Sequence, residues 1–529
     1  MVPCPRPSRT LSFALLAVVT LILLAYFPFS KIRAANSGAT ILPSAGKPLV
    51  NLKGSLAPKL TYGGDASAVA ALQGGAASPT ALAAADFNAD GAVDVVAGYS
   101  TGSSGKTGGA LAIFHANPDA FAPTDQTLYG KAILQGKVPP TFLPTATAFS
   151  LPESPDLMAT ADFNGDGKKD VLVAARGSSN LYLLLGDGRG NLLPPQAVPV
   201  LGQVRALDVT ADGHVAVTMD GPSGPQLAIL DPSSQGLASQ GLTSQGLTSK
   251  VLIVRATYPL PAQANSVAWG LLGGGLDVAV GAGSNVMMIY GALTSKPQTE
   301  TVTLPYQVQG LALGNFIWNR DARTGISVLA DDGSIHILQH GTLNTTPLTA
   351  AEIPGRRHAI MAQRRLQKGI APNPTALGPW SESKQLPYSG TAPSGPVSSS
   401  AFNSPRVASS STHDLMVVDA ARNQLHILDT SGKTASPSAD VSFSGTPVAA
   451  LALPQKINSD RDIVVLTSSQ ATPMLVTSEN TLTLTVTTTI DEDPDNACSN
   501  TGVKTASGAL SLREAVCIAN NNAETTTIN

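Results

Sequence analysis

Residues 162–170 read DFNGDGKKD. Asp162, Asn164, Asp166 and Asp170 put oxygen-bearing side chains at positions one, three, five and nine of the run, and Gly167 stands at six. Calcium takes six to eight oxygen ligands in flexible geometry, and a tight loop of alternating carboxylates with one main-chain carbonyl supplies them. The carbonyl at position seven is that of Lys168, and glycine at six permits the positive φ of a sharp reversal. One such loop alone has an ordinary reading as an acidic Asx turn. A second copy argues for metal: residues 86–94 read DFNADGAVD, with Asp86, Asn88, Asp90 and Asp94 in the same places and the Ala92 carbonyl at seven. Carboxylates held this close repel one another without a cation. An EF-hand needs a glutamate at position twelve and flanking helices. Position twelve here is Ala97 or Val173, and β-type sequence follows each. The expectation is two structural calcium sites.

The two loops sit inside a longer repeat. LAAADFNADGAVDVVAG (82–98) aligns with MATADFNGDGKKDVLVA (158–174), and each is followed by a glycine-containing turn and a second apolar run, GALAIFHA (109–116) and NLYLLLGDG (180–188). The unit is strand, loop, strand, turn, strand. Its last two strands recur without the acidic loop at 213–231, 276–291, 325–339, 413–429 and 461–478. Each is a pair of alternating Val/Ile/Leu-rich runs about a short Gly, Asp, Asn or Ser turn, the mark of a hairpin. Seven units of about 45 residues, each giving a small antiparallel sheet, predict an all-β chain folded as a seven-bladed β-propeller over 80–487. One blade cannot bury its faces alone, whereas a ring packs each sheet on two neighbours. Longer spacings mark insertions: SQGLASQGLTSQGLTS (234–249), and a Pro/Ser-rich stretch over 341–411 whose basic patch RRHAIMAQRRLQK (356–368) reads as a solvated loop, with a helix that binds an acidic surface as the alternative. The ring needs a closing strand. SLAPKLTYGGDASAVAAL (55–72), within an N-terminal linker over 36–79, and TLTLTVTTT (481–489) are both candidates.

The apolar-DFNxDGxxD-apolar unit resembles the FG-GAP (VCBS-like) repeats of integrin α-chain heads and bacterial exported proteins. The resemblance implies a seven-bladed propeller with calcium between the first and second strands of a blade, where the ion stiffens the blade rather than performing chemistry. It is specific for 82–98 and 158–174, while LGNFIWNRDARTG (313–325) and LPQKINSDRD (453–462) occupy the corresponding place with several ligands lost. Residues 488–529 resemble the CSLREA-type segment that introduces a parallel β-helix in bacterial surface proteins, through Ser511, Leu512, Arg513, Glu514 and Ala515 with Ala519 and Asn520 behind them. Where that family has a cysteine before the serine this chain has Leu510, and Cys517 follows instead. That departure removes the ground for the family's own disulfide, and in an exported chain the two cysteines most simply form one shifted Cys498–Cys517 pair. Two free thiols is the other reading of the cysteines left once Cys4 is set aside.

Charged residues make up only 13% of the chain and the net charge is −3, with no basic stripe interleaved with aromatics, which argues against nucleic acid as a partner. The N-terminus has Arg6 and Arg9, an apolar run from Leu11 to Phe29, and then Ala34 and Ala35, the plan of a secretory signal. The run is nearly long enough to span a membrane, and Lys31 and Arg33 follow it, so residues 1–35 read as a signal peptide or a retained membrane anchor. Either reading exports the chain, secreted or at the cell surface, with the membrane touched only through this segment. The seven histidines are scattered, and no GxSxG, HExxH or phosphate loop occurs. Asp331–Asp332 and Asp491–Glu492–Asp493 read as solvated. The expected function is a non-catalytic binding or adhesion module for protein or glycan. The alternative is a cell-envelope enzyme acting on polysaccharide with a propeller face as its active site, because fold alone does not decide function.

Overall fold

The computed structural model describes residues 39–42, 52–53, 60–102, 108–121, 140–232, 252–273, 275–320, 323–346, 349, 352, 378–386, 399–402, 413–428, 430, 437–454, 461–478, 481–484, 486, 512, 515–516 and 525–528. The N-terminal signal or anchor, the insertion 234–249, the patch 356–368, Cys498 and Cys517 lie outside them.

Seven antiparallel sheets follow one another along the chain as the blades of a β-propeller. The hairpins expected from the sequence are its middle strands: Asp94–Ser100 with Gly109–Phe114, Asp170–Ala174 with Asn180–Leu184, Val215–Gly221 with Gly224–Pro232, Asp277–Ala282 with Asn285–Tyr290, Gly325–Ala330 with Ile335–His340, Asp414–Asp419 with Gln424–Leu428, and Arg461–Thr467 with Met474–Ser478. These strands do not alternate in burial as a one-sided hairpin would. Asp277–Ala282 and Ile335–His340 are buried at every position. In blade one, Val95, Ala97 and Tyr99 pack toward blade seven while Val96 packs toward blade two. Both faces are covered, so the sequence is a continuous apolar run. Apolar clusters of this kind join every neighbouring pair of blades around the ring.

The inner strands Ser78–Ala85, Leu157–Ala161, Gln203–Val209, Ala264–Gly270, Val308–Gly314, Ser399–Phe402 and Pro447–Pro454 run beside one another at the centre. The inner strand of blade one is made largely of small side chains, SPTALAAA, which suits close approach at the centre. Five of the inner strands carry a bulge near their start, at Thr80, Arg205, Asn265, Gln309 and Val448, which tightens the strand's twist. Polar side chains bond across these strands from blade to blade. Thr160 Oγ1 donates to the Ala84 carbonyl at 2.8 Å, and Trp269 N donates to Asp208 Oδ2 at 2.7 Å.

The outer strands are the elements that sequence reading missed. Gln298–Thr303 is QTETVT and mostly exposed, with little hydrophobic pattern to find. Two strands also lie inside the stretch read as a 341–411 insertion: Trp380–Leu386 is the outer strand of blade five and Ser399–Phe402 the inner strand of blade six. The closing strand comes from the N-terminal linker. Leu52–Lys53 pairs antiparallel with Ser478–Thr477 and completes blade seven. The two candidate segments pair elsewhere: Thr61–Gly64 adds a parallel strand to blade one, and Thr481–Leu484 pairs in parallel with Thr525–Ile528. Ala39–Leu42 adds a fifth strand to blade six. A short helix, Ala66–Gln73, buries Ala68 and Leu72 against blade one.

Burial pushes the Asp208 carboxyl up to about 6, against the N–H donors of Trp269 and Val209 that favour its ionised form. An acid harder to ionise when folded favours the fold while protonated. That contribution is full below about pH 4, the unfolded value, and is lost as pH rises through 6. Asp208→Asn is therefore expected to stabilise the protein by on the order of 1–2 kcal/mol at pH 7.5 and by nothing measurable at pH 4, read from urea unfolding at the two pH values.

Candidate functional site

The two acidic loops adopt one backbone course. Position four is left-handed in both, at Ala89 (φ 58°) and Gly165 (φ 76°), and so is position six, at Gly91 (φ 87°) and Gly167 (φ 83°). Alanine accepts this conformation at a cost of about 1 kcal/mol, so the surrounding contacts must impose it. Those contacts are Asx bonds. Asp86 accepts from Asp90 N at 3.2 Å and Gly91 N at 2.9 Å, and Asn88 Oδ1 and Asp90 Oδ1 accept from Asp90 N and Ala92 N at 3.1 and 2.8 Å. In the second loop Asp162 accepts from Gly165 N, Asp166 N and Gly167 N, Asn164 from Asp166 N, and Asp166 from Lys168 N. The Lys168 ammonium stands 3.4 Å from Asp166 Oδ2. Ala92, at the same position in the first loop, is buried. Among the described residues no three His, Cys, Asp or Glu side chains converge as placed on a metal position. The donor set of the loops, carboxylate and carboxamide oxygen, is nevertheless that of a hard cation such as calcium.

Position nine does something different. Asp94 and Asp170 are fully buried at the base of the loop. Asp170 Oδ2 accepts from Phe163 N at 2.9 Å and Oδ1 from Gly186 N at 2.8 Å, beyond the end of the third strand. Asp94 accepts from Phe87 N at 3.1 Å and Ala116 N at 2.8 Å. Asp277, in a blade with no acidic loop, takes Leu272 N, Gly273 N and Gly291 N at 2.7, 2.7 and 2.6 Å. Asp414 and Asp462 are buried at the same place in blades six and seven. The ninth carboxylate is thus a clamp that ties the first loop to the turn after the third strand, whether or not the acidic loop is present. Burial, with Asp166 and Asp162 as neighbouring like charges, pushes Asp170 up to about 6 against its two N–H donors.

Two blades lack the aspartate and compensate differently. Strand register places His115 opposite Asp94, with Nδ1 3.4 Å from Oδ2. Blade three inverts this pair: His214 holds the clamp position and Asp231 lies opposite, 3.0 Å from His214 Nδ1. Blade five has Gly325 there, and the buried Gln339 opposite fills the space, since a Cβ on Gly325 would stand 2.2 Å from Gln339 Nε2. The phenylalanine of the DFNxDGxxD motif has a packing role that spacing alone did not assign. Phe87 and Phe163 are fully buried beneath their loops, and so is Phe316 in the blade-five loop that has lost its acids.

Residues 162–217 match the family model of the FG-GAP-like repeat. That span covers the second acidic loop, the rest of blade two and the first half of blade three. No curated protein matches the chain in sequence. Among solved structures the chain is similar to BBS1N in complex with ARL6DN (12% identity, 82% of this chain and 96% of that one, TM-score 0.43) and to Sqt1 from Chaetomium thermophilum (12%, 76% and 97%, 0.42). It is also similar to a catalytically inactive virginiamycin B lyase from Staphylococcus aureus with quinupristin (11%, 77% and 97%, 0.41).

The FG-GAP-like repeat does not stand alone on its face of the ring. Gly190 N, from the loop after blade two's third strand, donates to the Phe87 carbonyl at 3.1 Å, and a Cβ at Gly190 would stand 2.5 Å from the His115 ring. Gly213 of blade three lies as close to the Asp162 carbonyl. Each acidic loop is therefore held by the next blade.

One further cluster has the geometry of a nucleophile relay. Ser334 Oγ lies 2.7 Å from His336 Nε2, and His336 Nδ1 lies 2.9 Å from Glu382 Oε1. Three observations make it structural. Asp332 Oδ1 competes for the serine proton at 2.5 Å, and the Gly333 and Ser334 N–H groups are committed to the Ala330 carbonyl and Asp332. Tyr306 stacks on the imidazole with centroids 4.0 Å apart. His426, at the matching place in blade six, bonds Asp440 at 2.7 Å and faces Asp419 at 3.5 Å with no serine present.

Asp277→Ala strands three buried N–H groups and is expected to destabilise by about 3 kcal/mol or more. Ala89→Gly relieves the left-handed alanine and is expected to stabilise by about 1 kcal/mol. Chemical denaturation of the two variants beside the wild type measures both, and equal midpoints for all three would remove the clamp argument.

Proposed function

We propose that the chain is an exported, calcium-stabilised propeller that acts as a non-catalytic binding or adhesion module for a protein or glycan at the cell surface. The observation that carries the reading is the pair of loops with one backbone course, left-handed at positions four and six even where alanine stands, each set on a buried clamp and braced by the next blade. Such a loop fixes the backbone from which its oxygen-bearing side chains project. Asp86, Asn88 and Asp90 in the first loop and Asp162, Asn164 and Asp166 in the second would supply side-chain oxygens, with the carbonyls of Ala92 and Lys168. Asp94 and Asp170 would close each set with lone pairs not used by the clamp. Calcium there neutralises clustered carboxylates and cross-links a loop to its blade; it supplies no reaction. Export rests on the apolar N-terminal run, since among the described residues no helix is long and apolar enough to cross a membrane.

Saturating calcium at about 100 times its Kd is expected to add about 2.7 kcal/mol per site, a rise of a few degrees in Tm over a chelator control. Identical melting curves with and without calcium would sink the metal half of the reading. The two loops should differ, because the Lys168 ammonium already sits on Asp166. Lys168→Ala is expected to tighten the second site several-fold in calorimetric titration and leave the first unchanged. The binding half is tested by presenting the chain, with and without calcium, to glycan and extracellular-protein arrays. No retained ligand under either condition would count against it.

A further inference from the structure

We infer that Asn164 is a site of spontaneous covalent modification, where the Gly165 main-chain nitrogen displaces the side-chain amide and the residue becomes aspartate or isoaspartate. Asn164–Gly165 is the one Asn–Gly pair in the chain. Glycine presents its amide nitrogen with no Cβ in the way, and nothing lies within 4 Å of where a Cβ on Gly165 would stand. The first loop has Ala89 at the same place. Hydrogen bonds in the second loop bear on each reacting atom. Gly165 N donates to Asp162 Oδ1 at 2.7 Å, so a carboxylate is already placed to take its proton. Asp166 N donates at 3.0 Å to Asn164 Oδ1, the oxygen that gains charge when Cγ is attacked. The leaving nitrogen differs most between the loops. Asn88 Nδ2 donates to Asp90 Oδ2 at 2.9 Å, whereas among the described residues Asn164 Nδ2 has no such bond. The corresponding oxygen, Asp166 Oδ2, faces the Lys168 ammonium at 3.4 Å instead.

The reaction balances with water as its only co-reactant. Gly165 N bonds to Asn164 Cγ, its proton passes by way of Asp162 to the amide nitrogen, and ammonia leaves as the Cγ–Nδ2 bond breaks. A cyclic imide remains. Water opens it at Cγ to give aspartate, or at the main-chain carbonyl of residue 164 to give isoaspartate. Aspartate sets a further carboxylate between Asp162 and Asp166. Isoaspartate adds a carbon to the main-chain path and breaks the alignment of Asp166 N with its acceptor. Either product alters the second loop for the life of the chain and leaves the first as it was. The conversion needs no cation, so it stands apart from the calcium reading.

The folded full chain, kept warm at neutral pH in the presence of a chelator, is followed by peptide mass spectrometry that separates the Asn, Asp and isoaspartate forms. Asn164 is expected to convert at least ~10-fold faster than Asn88. Gly165→Ala gives the second loop the residue that the first already holds at this place, at φ 58°, and is expected to bring Asn164 down to the rate of Asn88. Asp162→Asn keeps the shape of the side chain and loses the carboxylate that takes the proton, and is expected to slow Asn164 by ~10-fold or more. The direction of that change separates chemistry from support, because a loop that had only lost a fastener would move more freely and convert faster. Equal wild-type rates at Asn164 and Asn88 would overturn the proposal. So would a Gly165→Ala chain that converts as fast as the wild type, or a folded Asp162→Asn chain that converts as fast or faster. Gly165→Ala carries the test alone if Asp162→Asn does not fold.

Discussion

A carboxylate at the start of a blade's second strand is the interaction on which most of this ring depends. The loop before that strand and the turn after the third strand both end at the same edge of the sheet, and each leaves main-chain N–H groups with no ladder partner. Water cannot reach them once blades pack face to face, and an unmet buried donor costs about 1–3 kcal/mol. One buried aspartate meets two of them in blades one and two and three in blade four. It does so with charge-assisted bonds, which are shorter and stronger than neutral ones. Its own burial is the opposing term, visible in the raised Asp170 and Asp277 carboxyls.

The same constraint explains how blades diverge. An acidic loop can shrink to the glycine-rich turn before Asp277 without disturbing the clamp, because the clamp needs only N–H groups from the loop. Losing the aspartate is harder. Blade three keeps an imidazole–carboxylate pair with the residues exchanged between strands, and blade five replaces the pair with glycine and glutamine. The His336 and His426 relays serve the opposite half of their hairpins in a comparable way, each imidazole bonded to a carboxylate on the outer strand. Buried carboxylates and imidazoles of these blades thus fasten main chain and strands. Asp90 and Asp166 of the two acidic loops are exposed instead, and Asp166 lies within the span that matches the FG-GAP-like repeat.

Much of the fold was legible because the middle strands are covered on both faces. Runs such as DVVAGYS and DLMVVD are apolar between their polar ends, and seven such hairpins at recurring spacing define a ring. The outer strands were not legible. QTETVT and WSESKQL face solvent along much of their length and are placed by ladder bonds to a neighbour already in position, a constraint that leaves little trace in residue type. For the candidate site, the positions of Asp86, Asn88, Asp90, Asp162, Asn164 and Asp166 could be read from spacing alone, since an Asx loop is a local object. The task of Asp94 and Asp170 could not. Their second partners, Ala116 and Gly186, are 22 and 16 residues further along the chain.

By itself, then, the sequence determined the number of repeats, the β class and the nine-residue loops, all of which follow from patterns within some twenty residues of one another. Tertiary structure alone decided how the ring is closed, with Leu52–Lys53 beside Ser478–Thr477, and which acidic residues tie a loop to the turn after the third strand. Both outcomes depend on groups brought together from distant parts of the chain. Main-chain hydrogen bonds of that kind are satisfied by position, and almost any side chain can occupy them.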